Sequence, residues 1–466
     1  MSVVIIGSGF GGLVCASILA QAGERVTVLE RQVQPGGCLQ SYRRGGYSFD
    51  TGLHYVGGLS EGQRMNAIFR RLGLMQLPWQ RLDADGFDRV TIAGETFCFA
   101  EGYDAFVEQL ADRFPHQKTA LRRYVDMLRE TDETAPGDPG VFERYGQNAY
   151  HWLSDTVSDP LLLNVLSGTS LKMELRRESL PLFAFAHGNS SFIQSSWRLK
   201  GDGNMIVDTL VEGIRCNGGS LVCRAEVEEL IEREGRIVAA RCKNGDCYEA
   251  DTFISDVHPQ QTFALVKESQ VLKRIYRRRI AMLENTFGMF TASLVLKPGS
   301  MQYFNHNKFV YSEPNVWDGT GLMASARVPE EGSDLRQIDL LTPMRWSSVE
   351  QWKDTCVGRR GEDYRQMKRL MAQRCIEEAE TVIPGLREMV SEVHTSTPLT
   401  YRDYTLTPDG AAYGARKDSR NMVLTMISPR TPLPNLLLTG QSVMLPGLEG
   451  VAMTAMMTVR ELGIKS

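Results

Sequence analysis

The first thirty residues combine a short apolar run, a glycine-rich turn and a helical pattern of apolar positions. Residues 3–6 are apolar (VVII) and lead directly into a Gly-x-Gly-x-x-Gly turn at residues 7–12. Apolar side chains then recur at helical spacing through residues 13–20, and Gly23 follows where a helix C-terminal cap belongs. Apolar positions alternate again before Glu30, which lies 18 residues beyond the last glycine of the turn. The pattern predicts a strand, a helix and a second strand.

Such a βαβ unit is typical of dinucleotide binding. The first glycine allows the tight turn, the second lets the backbone approach a diphosphate, and the third lets the helix pack closely on the strand. The helix N-terminus offers free N–H groups and the positive end of its dipole to the phosphates. Glu30 can accept hydrogen bonds from ribose hydroxyls and would repel a 2′-phosphate. The alternative is a glycine turn that binds no nucleotide, and the combination of strands, glycines, helix and acid disfavours it.

Further elements follow from the same periodicities. Apolar residues at helical spacing predict helices, and short apolar runs bounded by turn signals predict strands. An Asn-Gly pair at 244–245 indicates a hairpin turn between two of the strands. The predicted helices are 66–74, 104–114, 118–130, 204–216, 361–382 and a closing helix from near Gly450 to about Leu462, and the predicted strands are 220–224, 236–242, 252–255, 286–297 and one that meets a turn within 435–441.

Signals of a nucleotide-binding domain return twice after the first unit. A chain of 466 residues exceeds one typical domain, and no Pro/Ser-rich linker divides it. We therefore expect an α/β protein with two interleaved domains. A Rossmann-like nucleotide-binding domain would comprise residues 1–65, 200–265 and 425–466, and an α+β substrate domain with a helical cap would comprise residues 66–199 and 266–424.

Composition and charge exclude several classes of protein. The chain is 42% hydrophobic and 23% charged with a net charge of −4, which is ordinary for a globular protein and disfavours nucleic-acid binding. Nine cysteines without a CxxC pair favour free thiols in a reducing compartment and indicate no metal site. The acid and histidine at 256 and 258 follow a strand and are interpreted as turn residues.

Hydropathy bears on localisation. The apolar residues 3–20 lack a basic leader, so we expect them to begin the fold rather than to form a signal peptide. No other apolar stretch is long enough to span a bilayer. We therefore expect a cytoplasmic protein, with peripheral membrane contact left open. The basic run at 273–279 could meet anionic lipid headgroups, and a solvated helix face is the alternative.

Motifs distributed over most of the chain resemble the flavoprotein superfamily of phytoene desaturases, carotenoid cis-trans isomerases and retinol saturases. The retinol saturase and isomerase-like branch is the most similar. The set is specific for the superfamily and much less specific for the substrate. The motifs are GSGFGG (7–12), PGGC (35–38), FDTGLHYVGG (49–58), WRLKGDGN (197–204), ADTFISDVHP (250–259), PLTYRDYTLTPDGAAYG (398–414) and LLLTGQSVMLPGLEGVAMTA (436–455).

The resemblance implies FAD, bound non-covalently and extended across a glutathione-reductase-type domain. The glycine turn would hold the diphosphate, Glu30 and Arg31 the adenosine ribose, and the backbone of Val227 the adenine. The PGGC motif would follow the ribityl chain, and residues 51–54 would lie near the isoalloxazine. The implied cofactor-binding residues are Gly7, Ser8, Gly9, Gly11, Gly12, Glu30, Arg31, Gly36, Gly37, Cys38, Thr51, Gly52, His54, Val227, Gly440, Gln441, Gly450 and Val451.

The C-terminal motif has a physical rationale of its own. A helix that starts near Gly450 would direct the positive end of its dipole at a flavin beside the Gly440 turn. That field would stabilise negative charge on the reduced ring, whose redox chemistry belongs to the cofactor. Gln441 stands where many relatives have an acid, which weakens any role for a carboxylate there. An ordinary glycine-started helix is the alternative.

The leading hypothesis is an FAD-dependent oxidoreductase that adds or removes hydrogen across a C=C bond of a carotenoid- or retinoid-like substrate. Such a substrate offers no charge, so we expect a long apolar pocket. A redox-neutral polyene cis-trans isomerase is the main alternative. A flavin amine oxidase is disfavoured because residues 414–466 contain no Phe, Trp or Tyr to face the flavin. The intact glycine turn and Glu30 argue against a non-enzymatic prenyl carrier of the same fold.

Individual residues near the flavin carry weaker hypotheses. His54 could orient the substrate or donate a proton, and a structural histidine is the alternative. Tyr401, Tyr413 and Met444 are candidates for the substrate pocket. No second glycine fingerprint indicates a dedicated NAD(P)H domain, so the external electron donor or acceptor stays open. The substrate's identity and the oligomeric state stay open as well.

Overall fold

Two large β-sheets organise the chain in the computed structural model, which describes residues 1–134, 140, 146–317 and 321–465. The helices are α1 (Phe10–Gln21), α2 (Arg64–Arg71), α3 (Tyr103–Arg113), α4 (Lys118–Glu133), α5 (Ala149–Thr156), α6 (Pro160–Ser167), α7 (Leu182–Gln194), α8 (Asn204–Cys216), α9 (Pro259–Leu265), α10 (Arg274–Ala281), α11 (Glu362–Glu380), α12 (Leu386–Met389), α13 (Pro398–Thr405), α14 (Met422–Thr425) and α15 (Gly447–Arg460). The strands are β1 (Ser2–Ile6), β2 (Arg25–Leu29), β3 (Ser41–Arg44), β4 (Tyr47–Asp50), β5 (Val56–Gly57), β6 (Trp79–Arg81), β7 (Asp88–Ile92), β8 (Glu95–Phe99), β9 (Ser196–Leu199), β10 (Ser220–Val222), β11 (Val227–Arg233), β12 (Arg236–Cys242), β13 (Cys247–Glu249), β14 (Thr252–Ser255), β15 (Gly288–Leu296), β16 (Asn307–Tyr311), β17 (Leu322–Ala326), β18 (Gln337–Met344), β19 (Val390–Ser396) and β20 (Leu436–Leu438).

The first sheet is parallel and has the strand order β10-β2-β1-β14-β20. Ile5 of β1 pairs with Val28 on one side and with Ile254 on the other. Helix α1 is buried from Phe10 to Ala20 and packs between α15, α8 and this sheet. A helix that is apolar on all sides suits such an enclosed position. The sheet therefore joins strands from the beginning, the middle and the end of the sequence.

The second sheet has seven strands in the order β19-β15-β18-β17-β16-β7-β8. All nine residues of β15 are buried, because the strand lies inside the sheet and is covered on both faces. Helix α11 packs on β17 and β18, and the helices α3, α4, α5 and α7 pack against one another, with the most extensive contact between α4 and α7. The two-domain boundaries themselves stay a prediction.

One strand assignment from the sequence needs correction. The Asn-Gly turn at 244–245 connects β12 to the short strand β13, and these pair with β11 as a separate antiparallel sheet. Strand β14 instead joins the parallel sheet beside β1. Burial explains the difference: every residue of β14 is buried, as a central parallel strand requires, whereas β12 alternates between buried and more accessible positions.

The closing helix also begins earlier than the sequence suggested. It starts at Gly447, directly after Pro446, and Gly450 lies within its first turns. A Cβ at Gly450 would lie 2.6 Å from both the Cβ and the carbonyl oxygen of Leu445. The glycine therefore allows the preceding segment to pack tightly on the helix, and it does not mark the helix start. The bounds predicted for α8, by contrast, are those observed.

Candidate functional site

A cavity of about 330 Å³ lies at the carboxyl ends of the parallel strands, and we call it the strand-end cavity. Its wall includes the residues that directly follow β1, β2, β14 and β20. Crevices at this edge of parallel α/β sheets are where such folds bind ligands. Sixteen of the predicted cofactor residues line it: Gly7, Ser8, Gly9, Gly11, Glu30, Arg31, Gly36, Gly37, Cys38, Thr51, Gly52, His54, Val227, Gly440, Gln441 and Val451.

The glycine turn brings the N-terminus of α1 to this cavity. Gly7 adopts a φ of 95°, and the N-cap of α1 is Gly9, which has no side chain of its own to cap the helix. A Cβ at Gly11 would lie 2.6 Å from Asp256 Oδ1 and 3.0 Å from the Gly440 Cα. A Cβ at Gly12 would meet the Gly7 carbonyl oxygen, so Gly12 packs beneath the turn and does not line the cavity. Phe10 and Gly11 begin α1 at the cavity wall, where the first N–H groups of a helix suit a bound diphosphate.

Glu30 holds the turn in place from the end of β2. Its side chain is buried, and Oε2 accepts hydrogen bonds from the Ser8 hydroxyl and, at 3.1 Å, from the Ser8 N–H. Its other oxygen accepts the Gln32 N–H at 2.7 Å. The Ser8 hydroxyl in turn accepts the Gly36 N–H at 3.2 Å. The acid therefore couples the first glycine turn to the second glycine motif.

Arg31 and Tyr401 connect the strand-end cavity to α13. The Arg31 guanidinium donates to the carbonyl oxygen of Asp403 at 2.7 Å. The Tyr401 hydroxyl donates to the Thr51 carbonyl oxygen at 3.2 Å. Tyr401 therefore lines the strand-end cavity from a helix, where its hydroxyl already has a partner.

Asp256 is a site residue that the sequence analysis interpreted only as part of a turn. It follows β14 directly, and its carboxylate accepts hydrogen bonds from the backbone N–H groups of Gly12 and Gly9. The pKa of this carboxyl is raised to about 7, chiefly by burial and also by the nearby charge of Glu30, and the two backbone hydrogen bonds offset only part of this. An acid immediately after a fully buried strand was the available signal. Its contact with the glycine turn depends on the pairing of β1 with β14.

A second cavity of about 200 Å³ adjoins the first, and we call it the apolar cavity. The two share a stretch of wall that includes His54, Met289, Leu341 and Tyr413. Gly450 lines the apolar cavity alone, and Met444 is buried in the core without lining either cavity. Most of the wall is apolar, as in Leu53, Val56, Leu171, Met173, Ala184, Phe192, Met323 and Leu445.

His54 lies where the two cavities meet. Burial lowers its pKa to about 4, partly offset by the Asp50 charge, so the ring is neutral at physiological pH. Nδ1 is 4.0 Å from Asp339 Oδ2, and within the described residues Nε2 has no hydrogen-bond partner. Tyr413, at the same junction, donates its hydroxyl to the Leu171 carbonyl oxygen at 2.7 Å. A neutral histidine with one unpaired nitrogen can orient a ligand through a hydrogen bond.

A group with potential metal-ligand atoms lies beside the apolar cavity. Ligand atoms of Asp132, His187 and Glu449 lie within 4.8 Å of one another, although the sequence indicated no metal site. Arg64 already supplies positive charge there, at 3.4 Å from Asp132 and 3.5 Å from Glu449. The cluster is therefore explained by an ion-pair network.

The parallel sheet with a cavity at its carboxyl ends defines the class of the fold, a mixed α/β protein with a Rossmann-like nucleotide-binding domain. The family described as an NAD(P)-binding Rossmann-like domain matches residues 5–72. An oxidoreductase structure from Methanosarcina mazei has a TM-score of 0.69 at 15% identity and covers 99% of this chain and 100% of its own. A putrescine oxidase has a TM-score of 0.68 at 14% identity, covering 100% and 99%.

Named relatives match the chain along nearly its whole length. The Homo sapiens all-trans-retinol 13,14-reductase is 23% identical over 521 residues, covering 98% of this chain and 84% of the relative. The Danio rerio protein of the same name is 24% identical, covering 98% and 85%. A chloroplastic prolycopene isomerase 1 from an Oncidium hybrid cultivar is 25% identical, covering 99% and 84%. These matches confirm the resemblance to the phytoene desaturase, carotenoid isomerase and retinol saturase superfamily.

The position of Asp256 predicts a pH-dependent stability. An unfolded aspartate has a pKa of about 3.9, so between that value and about 7 the folded protein binds the extra proton. The free energy of unfolding should therefore fall as the pH rises through this window, by up to about 1.4 kcal/mol per pH unit for one group. Urea unfolding of the flavin-free protein at pH 5 and pH 7.5 measures this change, and Asp256→Asn should reduce it.

The same substitution at the exposed Asp155 serves as the matched control. It should leave the difference between the two pH values as in the wild type. Equal pH dependence for Asp256→Asn and the wild type would show that another group titrates in this window.

Proposed function

We propose that the protein is an FAD-dependent oxidoreductase that adds or removes hydrogen across a C=C bond of a lipophilic isoprenoid or polyene substrate. One observation carries the proposal: the strand-end cavity beside the glycine turn shares its wall with an apolar cavity at His54 and Tyr413. Full-length relatives named for retinol reduction and prolycopene isomerisation support it. A dinucleotide in the first cavity would thus reach a ligand in the second.

The predicted cofactor residues support a non-covalent FAD. The N-terminus of α1 would bind the diphosphate, and Glu30 and Arg31 would lie near the adenosine ribose. Cys38 is a thiol in the strand-end cavity, and burial raises its pKa to about 11, so it stays un-ionised and a poor nucleophile. The FAD would supply the hydride chemistry. The chain would position the cofactor, exclude water and hold an apolar substrate against it.

The Asp256 carboxylate has a consequence for this cofactor. It shares the glycine turn with the proposed diphosphate, and two like charges at one helix N-terminus repel each other. Because its pKa is raised to about 7, the carboxyl can hold a proton and remain neutral beside a bound anion. We propose Asp256 as a positioning residue for the turn rather than a phosphate ligand.

The alternative function is a redox-neutral cis-trans isomerisation of a polyene. It is favoured by the relatives named prolycopene isomerase, of which the Oncidium protein covers 99% of this chain. Both functions need the same cofactor and the same apolar cavity, so the geometry of the wall does not separate them. They differ in whether reducing equivalents are consumed.

A surface beside the apolar cavity supports membrane contact. Three apolar side chains are strongly exposed there: Val423 is 84% exposed, Ile275 77% and Met282 68%. Arg279, on the same helix as Ile275, donates a hydrogen bond to the Val423 carbonyl oxygen at 2.9 Å and so brings the two segments together. The exposed Lys273, Arg274 and Arg278 flank these apolar side chains. Apolar anchors within a basic rim are suited to an anionic lipid surface. Two residues of the cavity wall contact the segments that carry this surface. Arg416 forms an ion pair with Glu284, and Lys417 donates a hydrogen bond to the Thr425 carbonyl oxygen.

None of the helices in the described ranges combines the length and the apolar character that a membrane-spanning segment needs.

The first prediction from the proposed function concerns the cofactor. The purified protein should be yellow, with an absorbance maximum near 450 nm, and acid precipitation should release the flavin as FAD. Gly11→Ala should lose most of this FAD, because the new Cβ would lie 3.0 Å from the Gly440 Cα and distort the turn. Released flavin is identified by chromatography and mass spectrometry.

Gly213→Ala is the matched control, since a Cβ there meets nothing within 4 Å. It should retain the wild-type FAD content, and circular dichroism should show both variants folded. A wild-type protein that carries no flavin would contradict the proposal.

The second prediction concerns the reaction. Protein reduced by dithionite without oxygen should convert all-trans-retinol or prolycopene, and each product molecule should consume one two-electron equivalent. His54→Ala should keep its FAD and turn over at least about tenfold more slowly, because a ligand at the junction loses a hydrogen-bond partner. Product analysis and the spectrum of the flavin measure both quantities.

Product formed without net loss of reductant would assign the isomerase function instead. Unchanged turnover of His54→Ala at normal FAD content would remove this residue from the reaction.

The third prediction concerns the membrane. The protein should co-sediment with vesicles containing phosphatidylglycerol, more weakly with phosphatidylcholine alone, and less at high salt. Ile275→Ser combined with Val423→Ser should reduce the bound fraction several-fold. Val393→Ser is a control, because Val393 is an exposed apolar residue on β19. Sedimentation that ignores salt, lipid charge and the double substitution would contradict membrane docking.

A further inference from the structure

Lys172 places a positive charge at the wall of the apolar cavity, against two aromatic rings. Lys172 is the last residue of a short 3-10 turn, Ser170–Lys172. The Tyr413 hydroxyl holds this turn in place by donating a hydrogen bond to the Leu171 carbonyl oxygen. Throughout the described part of the chain, its ammonium group makes no hydrogen bond or ion pair. Its Nζ lies 3.9 Å from the centroid of the Phe192 ring and 5.6 Å from that of Tyr55. A lysine ammonium has three donors and no acceptor, so donors remain for a ligand.

The other strongly charged groups of this wall are already neutralised or hydrogen-bonded. Arg176 Nε lies 3.0 Å from Glu174 Oε1. Lys417 donates to three backbone carbonyl oxygens, at 2.7–3.1 Å. The remaining pairs are Arg416 with Glu284 and Glu449 with Arg64. Lys172 therefore differs from its neighbours because its charge lacks a direct counter-charge.

Asp88 is the carboxylate whose charge acts on Lys172, and its oxygens accept hydrogen bonds from other side chains. Asp88 is fully buried, and it accepts the Tyr55 hydroxyl at 2.9 Å and the Asn307 amide at 2.8 Å. It makes no ion pair with Lys172 within 4.0 Å among the described residues. Burial lowers the pKa of Lys172 to about 8, and the Asp88 charge offsets only part of this. The wall thus holds a cation at a cost that a ligand anion would relieve.

We infer that the apolar cavity binds an elongated apolar ligand that ends in a carboxylate, with the carboxylate at Lys172 Nζ. The inference rests on the proposed function, because the same cavity would hold the substrate. The carboxylate would form charge-assisted hydrogen bonds with the ammonium. The hydrocarbon chain would then extend past Phe192 and Met289 towards His54, where the two cavities meet.

This ligand class differs from an uncharged polyene in one physical respect. A hydrocarbon would place apolar groups against the ammonium of Lys172 and leave its donors unused. An alcohol would satisfy one donor without neutralising the charge. A carboxylate does both, so affinity should rank acid above alcohol and alcohol above methyl ester.

Equilibrium dialysis of the FAD-loaded protein with cis-parinaric acid, its alcohol and its methyl ester tests this ranking. We expect the acid to bind the wild type at least tenfold more tightly than the ester. Lys172→Met, which keeps the length of the side chain, should reduce this ratio below threefold, and Lys172→Arg should restore it. Lys368→Met is the matched control, because Lys368 also lies over an aromatic ring, that of Tyr364, but outside this cavity. It should keep the wild-type ratio.

The inference is overturned if the wild type binds acid and ester equally, or if Lys172→Met keeps the preference for the acid. The flavin absorbance of each variant reports whether it is folded. A Lys172 variant that binds the acid less tightly but keeps normal flavin absorbance has therefore lost the contact of Lys172 with the carboxylate. FAD-loaded protein that converts retinol or prolycopene without any preference for the acid would overturn this inference alone. Protein without flavin that still prefers the acid through Lys172 would overturn the proposed function alone.

Discussion

The close approach of α1 to the carboxyl ends of β1 and β14 is the constraint on which the site depends. Gly12 makes this approach possible, because a Cβ there would meet the Gly7 carbonyl oxygen and lie 3.2 Å from the Asp256 Cβ. With the helix this close, its first N–H groups reach the strand ends, and the Asp256 carboxylate accepts those of Gly9 and Gly12. Glu30 then fixes the turn through Ser8. The N-terminus of α1, the strand ends and Glu30 therefore lie close together because Gly12 has no side chain.

Two enclosed spaces of different chemistry meet beside this point. The wall of the strand-end cavity adds the backbone of the glycine turn and the carboxylates of Glu30 and Asp256 to its apolar side chains, whereas the mostly apolar wall of the second cavity carries Lys172. Enclosure shifts the ionisable groups towards their neutral forms: the pKa of Asp256 is raised, and the pKa values of His54 and Lys172 are lowered. The charge of a bound ligand would therefore change the pKa values of these groups.

Parts of the fold could be predicted because their cause is local. The β1-α1-β2 unit follows from periodicity and glycine spacing, and the bounds of α8 follow from its apolar stripe. The Asn-Gly turn at 244–245 was expected between the predicted strands 236–242 and 252–255, and this was wrong because the turn signal specifies a reversal but not the partner strand. The glycine motifs at the strand-end cavity were accessible to sequence reasoning, and their roles towards a cofactor stay a prediction. The surroundings of Asp256 and Lys172 were not accessible, since they depend on segments far away in the chain.

The sequence by itself determined where a dinucleotide turn would form, because a helix N-terminus, three glycines and an acid lie within thirty residues of one another. Only the tertiary structure decided what that turn faces. Parallel pairing places Asp256 under the glycines, and packing of the 3-10 turn at residues 170–172 against Tyr413 places Lys172 in an apolar wall. Local pattern fixes backbone conformation, whereas the environment of a charge depends on which distant segments surround it.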